Sequence, residues 1–209
     1  GVDVTISSLA SRYVKSAILG EGAFSQVWHG ERVGGIAKCA LKCISLESLD
    51  DDDVALEMLA DEVAALRRAS RSLGEQRKHV LGLIEVVRTP VEVCLVVDLV
   101  EGNELFELIE RHGPMPEPMV RQLVRQLVGA LAALHGLGIC HRDIKCENVM
   151  VSGLHSAATA KVVMIDFGYA AVSPAEDGLL SGDELQPHGP HGPRTLSSLV
   201  GTPDFAAPE

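Results

Sequence analysis

Short apolar or alternating runs dominate the chain as far as Val100: Tyr13 to Leu19, Gln26 to Gly30, Ala37 to Ile44, Leu83 to Val87 and Val91 to Leu99. Runs of this length, bounded by Gly, Asp or Ser, predict β-strands. One stretch breaks the pattern. From about Asp53 to Ser70, the residues Ala55, Met58, Leu59, Val63 and Leu66 recur at helical spacing behind the acidic start Asp50 to Asp53, and acid at a helix N-terminus suits its dipole. After Gly102 the period turns helical, over Glu104 to Arg111 and then Pro118 to Leu137, where Val120, Leu123, Val124, Leu127, Leu131 and Leu134 share one face. A sheet unit followed by a helical unit predicts an α+β fold of two lobes, residues 1–97 and 104–209, joined by a hinge over 98–103. A ligand is expected in the cleft between them. Between Ser173 and Pro193, twelve of 21 residues are Gly, Pro, Ser or His, and no hydrophobic period survives, which predicts a flexible insert over about 172–194.

A chain of 209 residues with 46% hydrophobic content can bury a core in one large domain or two small lobes. The formal net charge of −11 argues against affinity for nucleic acid or an anionic membrane, since both reward basic surface, and suits a basic partner. No apolar run reaches the roughly 18 residues that a spanning helix needs, and the first residues lack a signal-like apolar core. A soluble protein of the cytoplasm or nucleus is expected. The five cysteines, at 39, 43, 94, 140 and 146, are odd in number and form no C-x-x-C pair. That spacing speaks against a disulfide framework or a zinc site and predicts reduced thiols.

Five chemistry-bearing segments stand in one order: Gly20-Glu21-Gly22-Ala23-Phe24-Ser25-Gln26-Val27, Ala40-Leu41-Lys42, His141-Arg142-Asp143-Ile144-Lys145-Cys146-Glu147-Asn148, Asp166-Phe167-Gly168 and Ala207-Pro208-Glu209. A glycine loop that can approach phosphate, a cation behind it, a carboxylate near a substrate hydroxyl and two metal-binding side chains are the parts that phosphoryl transfer requires. Each pattern alone recurs by chance, but their joint order does not. From about Tyr13 to the last residue the chain resembles a eukaryotic protein kinase. Lys145, two positions after Asp143, is similar to the serine/threonine type. Glu104-Leu105-Phe106 and Gly201-Thr202-Pro203-Asp204-Phe205 resemble the calcium/calmodulin-dependent group most, with the cAMP-dependent group next. In that family further helices follow the Ala-Pro-Glu motif, so a chain running from Gly1 to Glu209 is expected to be a truncated segment with an incomplete helical lobe.

Residue by residue, the loop must lack side chains where phosphate oxygens approach its N–H groups, and Gly20 and Gly22 meet that need; Ser25 replaces the family's third glycine. Lys42 sits in an otherwise apolar strand, so it is expected to point into the cleft toward the α- and β-phosphates. Among Glu57, Asp61 and Glu62, helical spacing puts Glu62 on the inward stripe with Met58, Leu59 and Leu66, making it the expected partner of Lys42. Asp143 is suited to orient the incoming hydroxyl and accept its proton, with Lys145 beside it. Asn148 and, at the end of the apolar strand Lys161 to Ile165, Asp166 are suited to Mg²⁺. Phe167 reads as packing against His141 and Leu66.

The resemblance implies ATP as phosphoryl donor, with Leu19, Val27, Ala40 and Met150 as apolar walls, backbone groups of Asp98 to Val100 at the ring edge, and Glu104 facing the ribose or a basic substrate residue. It also implies a protein substrate, basic in context, and an upstream activating kinase. Arg142 would then stay unpaired until a phosphate arrives at Ser198, with Thr195 and Ser197 as neighbouring acceptors. The cluster Arg67, Arg68, Arg71, Arg77 and Lys78 reads as a solvated turn. Two alternatives stand beside the kinase reading. One is a catalytically silent, kinase-like binding or scaffold module, or a fragment inactive through truncation; the other, a small-molecule or lipid kinase, is disfavoured by the stretch Gly201 to Glu209, which resembles a peptide-docking loop.

Overall fold

The computed structural model describes residues 4–6, 8–22, 25–49 and 52–173. The first half builds a sheet: β1 (Val4–Ile6), a turn of helix α1 (Leu9–Arg12), β2 (Tyr13–Glu21), β3 (Ser25–Arg32), β4 (Lys38–Ser45), the helix α2 (Asp53–Ser72), a 3-10 turn over Gly74–His79, β5 (Leu83–Arg88) and β6 (Glu92–Asp98). The second half is mainly helical: β7 (Asn103–Glu104), α3 (Leu105–His112), α4 (Glu117–Gly136), β8 (Ile139–Cys140), a 3-10 turn over Cys146–Asn148, β9 (Val149–Ser152), β10 (Lys161–Met164) and β11 (Ala171–Val172).

Six strands pair in the order β1-β5-β6-β4-β3-β2. The expectation of an antiparallel sheet holds for every pair except β1 on β5, which is parallel. Strand β1 leaves no signature in the sequence, because three residues are too few to display a strand period. The sheet is covered on both faces, which is why β4 and β6 read as nearly continuous apolar runs. On one side Cys39, Leu41, Cys43, Val87, Cys94 and Val96 pack under Leu9, Tyr13 and Trp28. On the other Ala40, Ile44, Val93, Leu95 and Val97 meet α2 through Leu59, Val63 and Leu66. Asp52 caps α2, its carboxylate accepting from the Ala55 N–H at 3.0 Å.

Two expectations need correction. Leu123, Ala130 and Leu134 are buried on α4, but Val120 and Val124 are exposed and with Val128 form an i, i+4, i+8 ridge. The apolar face of α4 is wider than the surface that β10 and the neighbouring 3-10 turn offer it among the described residues. The cysteines also differ from the reduced set inferred from their spacing: Cys43 and Cys94 are joined in a disulfide, while Cys39, Cys140 and Cys146 are free. Register explains the pairing, since the two stand directly opposite across β4 and β6 with Cα atoms 4.2 Å apart. A sequence separation of 51 gives no hint of this. The flexible insert expected after 172 lies, from residue 174 onward, outside the described residues.

The start of the sheet is fastened by one carboxylate. Glu85 on β5 accepts from the Tyr13 hydroxyl and from Arg12 Nη2 at 2.9 Å, with Arg12 Nη1 in ion-pair contact 2.7 Å from its other oxygen. Burial, then the hydrogen bond to Glu85, push the Tyr13 phenol up from 10.0 to about 12. The folded state therefore holds this proton more tightly than the unfolded chain, and stability falls as pH rises from 10.0 to about 12. Urea unfolding across that window should show a steeper loss for the native protein than for Tyr13→Phe, which has no proton to lose.

Candidate active site

The alternation of β4 puts Lys42 on the α2 side of the sheet. There its Nζ donates to Glu62 Oε1 at 2.6 Å and to Asp166 Oδ1 at 3.1 Å. Of the three acids weighed on the helix, Glu62 is the one that meets the lysine; it is buried, with 6% of its side chain exposed. Burial works to strip the proton from Lys42, but the two carboxylates outweigh it and hold the ammonium above its usual range. Asp166 is likewise desolvated, yet Lys42 and the Gly168 N–H, 3.2 Å from Oδ1, keep its carboxyl below the usual range and so ionised. Gly168 is bare for a local reason: a Cβ there would stand 3.2 Å from Asp166 Oδ1 and 3.9 Å from Lys42 Nζ.

A second charged group forms around Asp143. Its Oδ2 accepts from Asn148 Nδ2 at 2.8 Å and from Lys145 Nζ at 3.0 Å, while its carbonyl also accepts from Asn148 Nδ2 at 2.9 Å. Asp143 and Asn148 are both buried. Partial desolvation lowers the Lys145 proton affinity, but the bond to Asp143 prevails and raises it. The two groups are joined by His141 and Phe167, whose rings lie 4.7 Å apart. Phe167 is fully buried in the same core as Leu66. Burial lowers the His141 pKa, so the imidazole is neutral and donates from Nε2 to the Ile165 carbonyl at 3.2 Å.

Two residues here hold left-handed backbone, Arg142 at φ 64° and Asp166 at φ 55°. That conformation costs a non-glycine residue ~1–2 kcal/mol and persists only where the surroundings impose it. Arg142 corrects an expectation. It is not waiting without a partner: Nε donates to the Tyr169 carbonyl at 2.7 Å and Nη2 to the Ala170 carbonyl at 3.4 Å, gripping the chain just past Gly168. Ser198, expected to carry the phosphate that would pair with Arg142, lies outside the described residues, as do Ala23 and Phe24 of the glycine loop and the Ala207-Pro208-Glu209 motif.

The glycine loop folds back at its base, where the Gly22 N–H donates to the Ser25 carbonyl at 2.8 Å. A Cβ at Gly20 would meet nothing within 4 Å, so the protein's own packing does not demand glycine there and the bare backbone is left open to a ligand. Val27 stands opposite Lys42, and Ala40 opposite Val97, in the strand register. Leu19 is exposed on the loop strand and Ala40 is buried. Met150 and Glu104 are paired neighbours on β9 and β7. The Asp98 N–H is already given to the Gly82 carbonyl at 2.9 Å, which removes that donor from the edge assigned to Asp98 to Val100.

The basic cluster at the end of α2 and in the 3-10 turn that follows it is the part that sequence reasoning missed. Arg77 Nη2 pairs with Asp98 at 2.9 Å while its Nη1 holds the Val80 carbonyl, tying the 3-10 turn after α2 to the end of β6. Arg68 Nη1 donates to the carbonyls of Leu137 at 3.0 Å and Ser173 at 3.1 Å, joining α2 to the loop before β8 and to the end of β11. Ser70 is also structural, its Oγ accepting from the Leu83 N–H at 3.0 Å.

The donor set fits a hard cation. Asp166 brings a carboxylate held ionised, and Asn148 has its amide nitrogen committed to Asp143, which leaves the amide oxygen as its ligand atom; oxygen donors of this kind suit Mg²⁺. The comparisons agree with the geometry. Residues 13–209 match the protein kinase domain, and the chain belongs to that family. It is 31% identical over 205 residues to CBL-interacting serine/threonine-protein kinase 16 of Arabidopsis thaliana, covering 96% of this chain and 39% of that protein. It is 31% identical over 201 residues to calcium/calmodulin-dependent protein kinase type 1B of Homo sapiens, covering 96% and 50% respectively. Putative CBL-interacting protein kinase 27 of Oryza sativa subsp. japonica is 34% identical over 203 residues, covering 96% and 43%. The chain thus spans half or less of the length of these relatives. ATP and Mg²⁺ are the family's general requirements.

Glu62→Gln keeps the shape at α2 but replaces a charge-assisted bond by a neutral one. Bonds to charged groups contribute about 1.5–3 kcal/mol, so kcat/KM for phosphoryl transfer should fall about ten- to a hundredfold, measured with labelled phosphate.

Proposed function

We propose that this chain is the catalytic segment of a serine/threonine protein kinase, transferring the γ-phosphoryl group of ATP to a Ser or Thr hydroxyl of a protein. The observation that carries the reading is the pair of charged groups: Lys42 between Glu62 and Asp166, and Asp143 between Asn148 and Lys145. Glu62 fixes the direction of the Lys42 ammonium, which is aimed at phosphate oxygens. Asp143 orients the acceptor hydroxyl and takes its proton as the bond to phosphorus forms, and Lys145 beside it offsets the negative charge on the transferred group. Asp166 and Asn148 would hold Mg²⁺, whose chemistry when bound is to bridge and neutralise the phosphates. Leu19, Gly20, Gly22, Val27, Ala40, Val100 and Met150 would enclose the nucleotide.

A basic peptide is the proposed substrate. Burial raises the Glu104 pKa most, and the nearby carboxylates of Glu107 and Glu147 raise it further; an arginine would relieve this grouping of acids. We further propose control by an upstream kinase through Ser198, and a cytoplasmic or nuclear setting. Calcium-linked regulation is proposed as well, by likeness to the calcium/calmodulin-dependent relative.

Lys42→Met, Asp143→Asn and Asp166→Asn should each lower phosphoryl transfer by about a hundredfold or more, because each removes a charge aligned with the transition state, while circular dichroism shows the fold retained. Native-like turnover of Asp166→Asn with Mg²⁺ as the metal would remove the proposal. Replacing Glu104 and Glu147 together by Gln should reduce kcat/KM about tenfold for a peptide with Arg two or three residues before the acceptor, and leave an Ala-substituted peptide unchanged. With the native protein the advantage of the Arg peptide should shrink as pH falls through the raised Glu104 pKa, since protonation removes the attracting charge.

A further inference from the structure

The opposed cysteines lie on the face of the sheet away from the proposed active site, and they differ in access. Cys94 is fully buried, whereas Cys43 is 6% exposed and lines a pocket of about 450 Å³ with Lys15, Gln26, Trp28, Ser45 and Glu92. Lys15 is held in this lining, its Nζ 3.0 Å from Glu92 Oε2 and 5.8 Å from the centre of the Trp28 ring. Among the five cysteines the strand register opposes only this pair; Cys39, on the same strand and face, stands opposite Asp98. We propose that Cys43 and Cys94 are a reversible redox couple, closed by a hydroperoxide that enters through this pocket and reacts first with Cys43.

The chemistry balances with the hydroperoxide as sole oxidant. The Cys43 thiolate attacks one peroxide oxygen; the S–O bond forms, the O–O bond breaks, and the alkoxide leaves as an alcohol with the thiol proton. Cys43 is then a sulfenic acid, oxidised by two electrons, and the peroxide is reduced by two. The Cys94 sulfur attacks the Cys43 sulfur; the S–S bond forms, the S–O bond breaks, and hydroxide leaves as water with the Cys94 proton. The division of roles follows from access: the oxidant can reach Cys43 but not Cys94, and once Cys43 is oxidised its partner is already opposite, with Cα atoms 4.2 Å apart. Closure stops Cys43 at the reversible level, short of sulfinic acid. The bond sits one residue from Lys42, yet the Lys42–Glu62 contact is formed at 2.6 Å in the linked state. Oxidation therefore leaves the charged site intact, and the couple acts as a staple across β4 and β6.

The test uses the native protein, reduced with dithiothreitol, freed of reductant, treated with tert-butyl hydroperoxide and then alkylated. Non-reducing peptide mapping should find the Cys43 and Cys94 peptides linked, with Cys39, Cys140 and Cys146 alkylated, and dithiothreitol should release the link. In Cys94→Ala, dimedone should label Cys43; in Cys43→Ala, Cys94 should stay unlabelled. Both sulfurs alkylated after peroxide in the native protein would overturn the proposal. So would protection of both thiols in the reduced protein by Zn²⁺, bound by Cys43, Cys94 and Glu92, with no link formed on peroxide treatment. None of these readouts depends on phosphoryl transfer, so the couple and the proposed kinase activity stand or fall separately.

Discussion

An ammonium group enclosed between two carboxylates, at the junction of a strand, a helix and a sharp turn, is the interaction on which the site depends. Desolvating a carboxylate costs several kcal/mol, and Glu62, with 6% of its side chain exposed, bears that cost only because Lys42 stands 2.6 Å away. Removing Lys42 leaves the buried Glu62 charge uncompensated, a loss of about 3–5 kcal/mol. β4 and α2 are therefore held in one relation, and Asp166 is drawn to the same cation at 3.1 Å. Three segments far apart in the chain thus converge on one nitrogen atom.

The remaining contacts extend that constraint outward. Asp166 reaches Lys42 from a left-handed backbone at φ 55°, which is sustained by the Phe167–His141 packing and by the Gly168 N–H. Arg142 holds the chain just past Gly168 through the carbonyls of Tyr169 and Ala170. Arg68, two turns along α2 from Glu62, bonds the carbonyls of Leu137 and Ser173. A rotation of α2 would therefore strain both ends at once, the ion pair at Lys42 and the clamp at Ser173. The orientation of the helix and the path of the chain after Gly168 are coupled through these two anchors.

Much of this was legible in the sequence because it rests on local periods. The strands containing Lys42 and Val97 alternate or run apolar, α2 repeats at helical spacing, and Glu62 could be separated from Glu57 and Asp61 by its place on the inward stripe. What escaped depends on long-range register. Cys43 meets Cys94 because β4 pairs with β6, β1 is too short to show a period, and Val120 and Val124 share a helical face with Leu123 without sharing its neighbours. Arg68 and Arg77 carried charge in a segment that reads as solvated, and only the chain's path brings carbonyls and Asp98 to them. Arg142 was placed correctly beside Asp143, but its partners are backbone carbonyls, which no side-chain pattern announces.

The central claim is that Asp166 serves both Lys42 and a divalent cation, so that metal and nucleotide are bound through one shared carboxylate. Calorimetric titration with a non-hydrolysable ATP analogue, with and without Mg²⁺, measures that sharing directly in the native protein and in Asp166→Asn. Mg²⁺ should tighten nucleotide binding markedly in the native protein and leave it nearly unchanged in the variant, whose metal-free affinity is retained. An equal Mg²⁺ enhancement in both proteins would contradict the account.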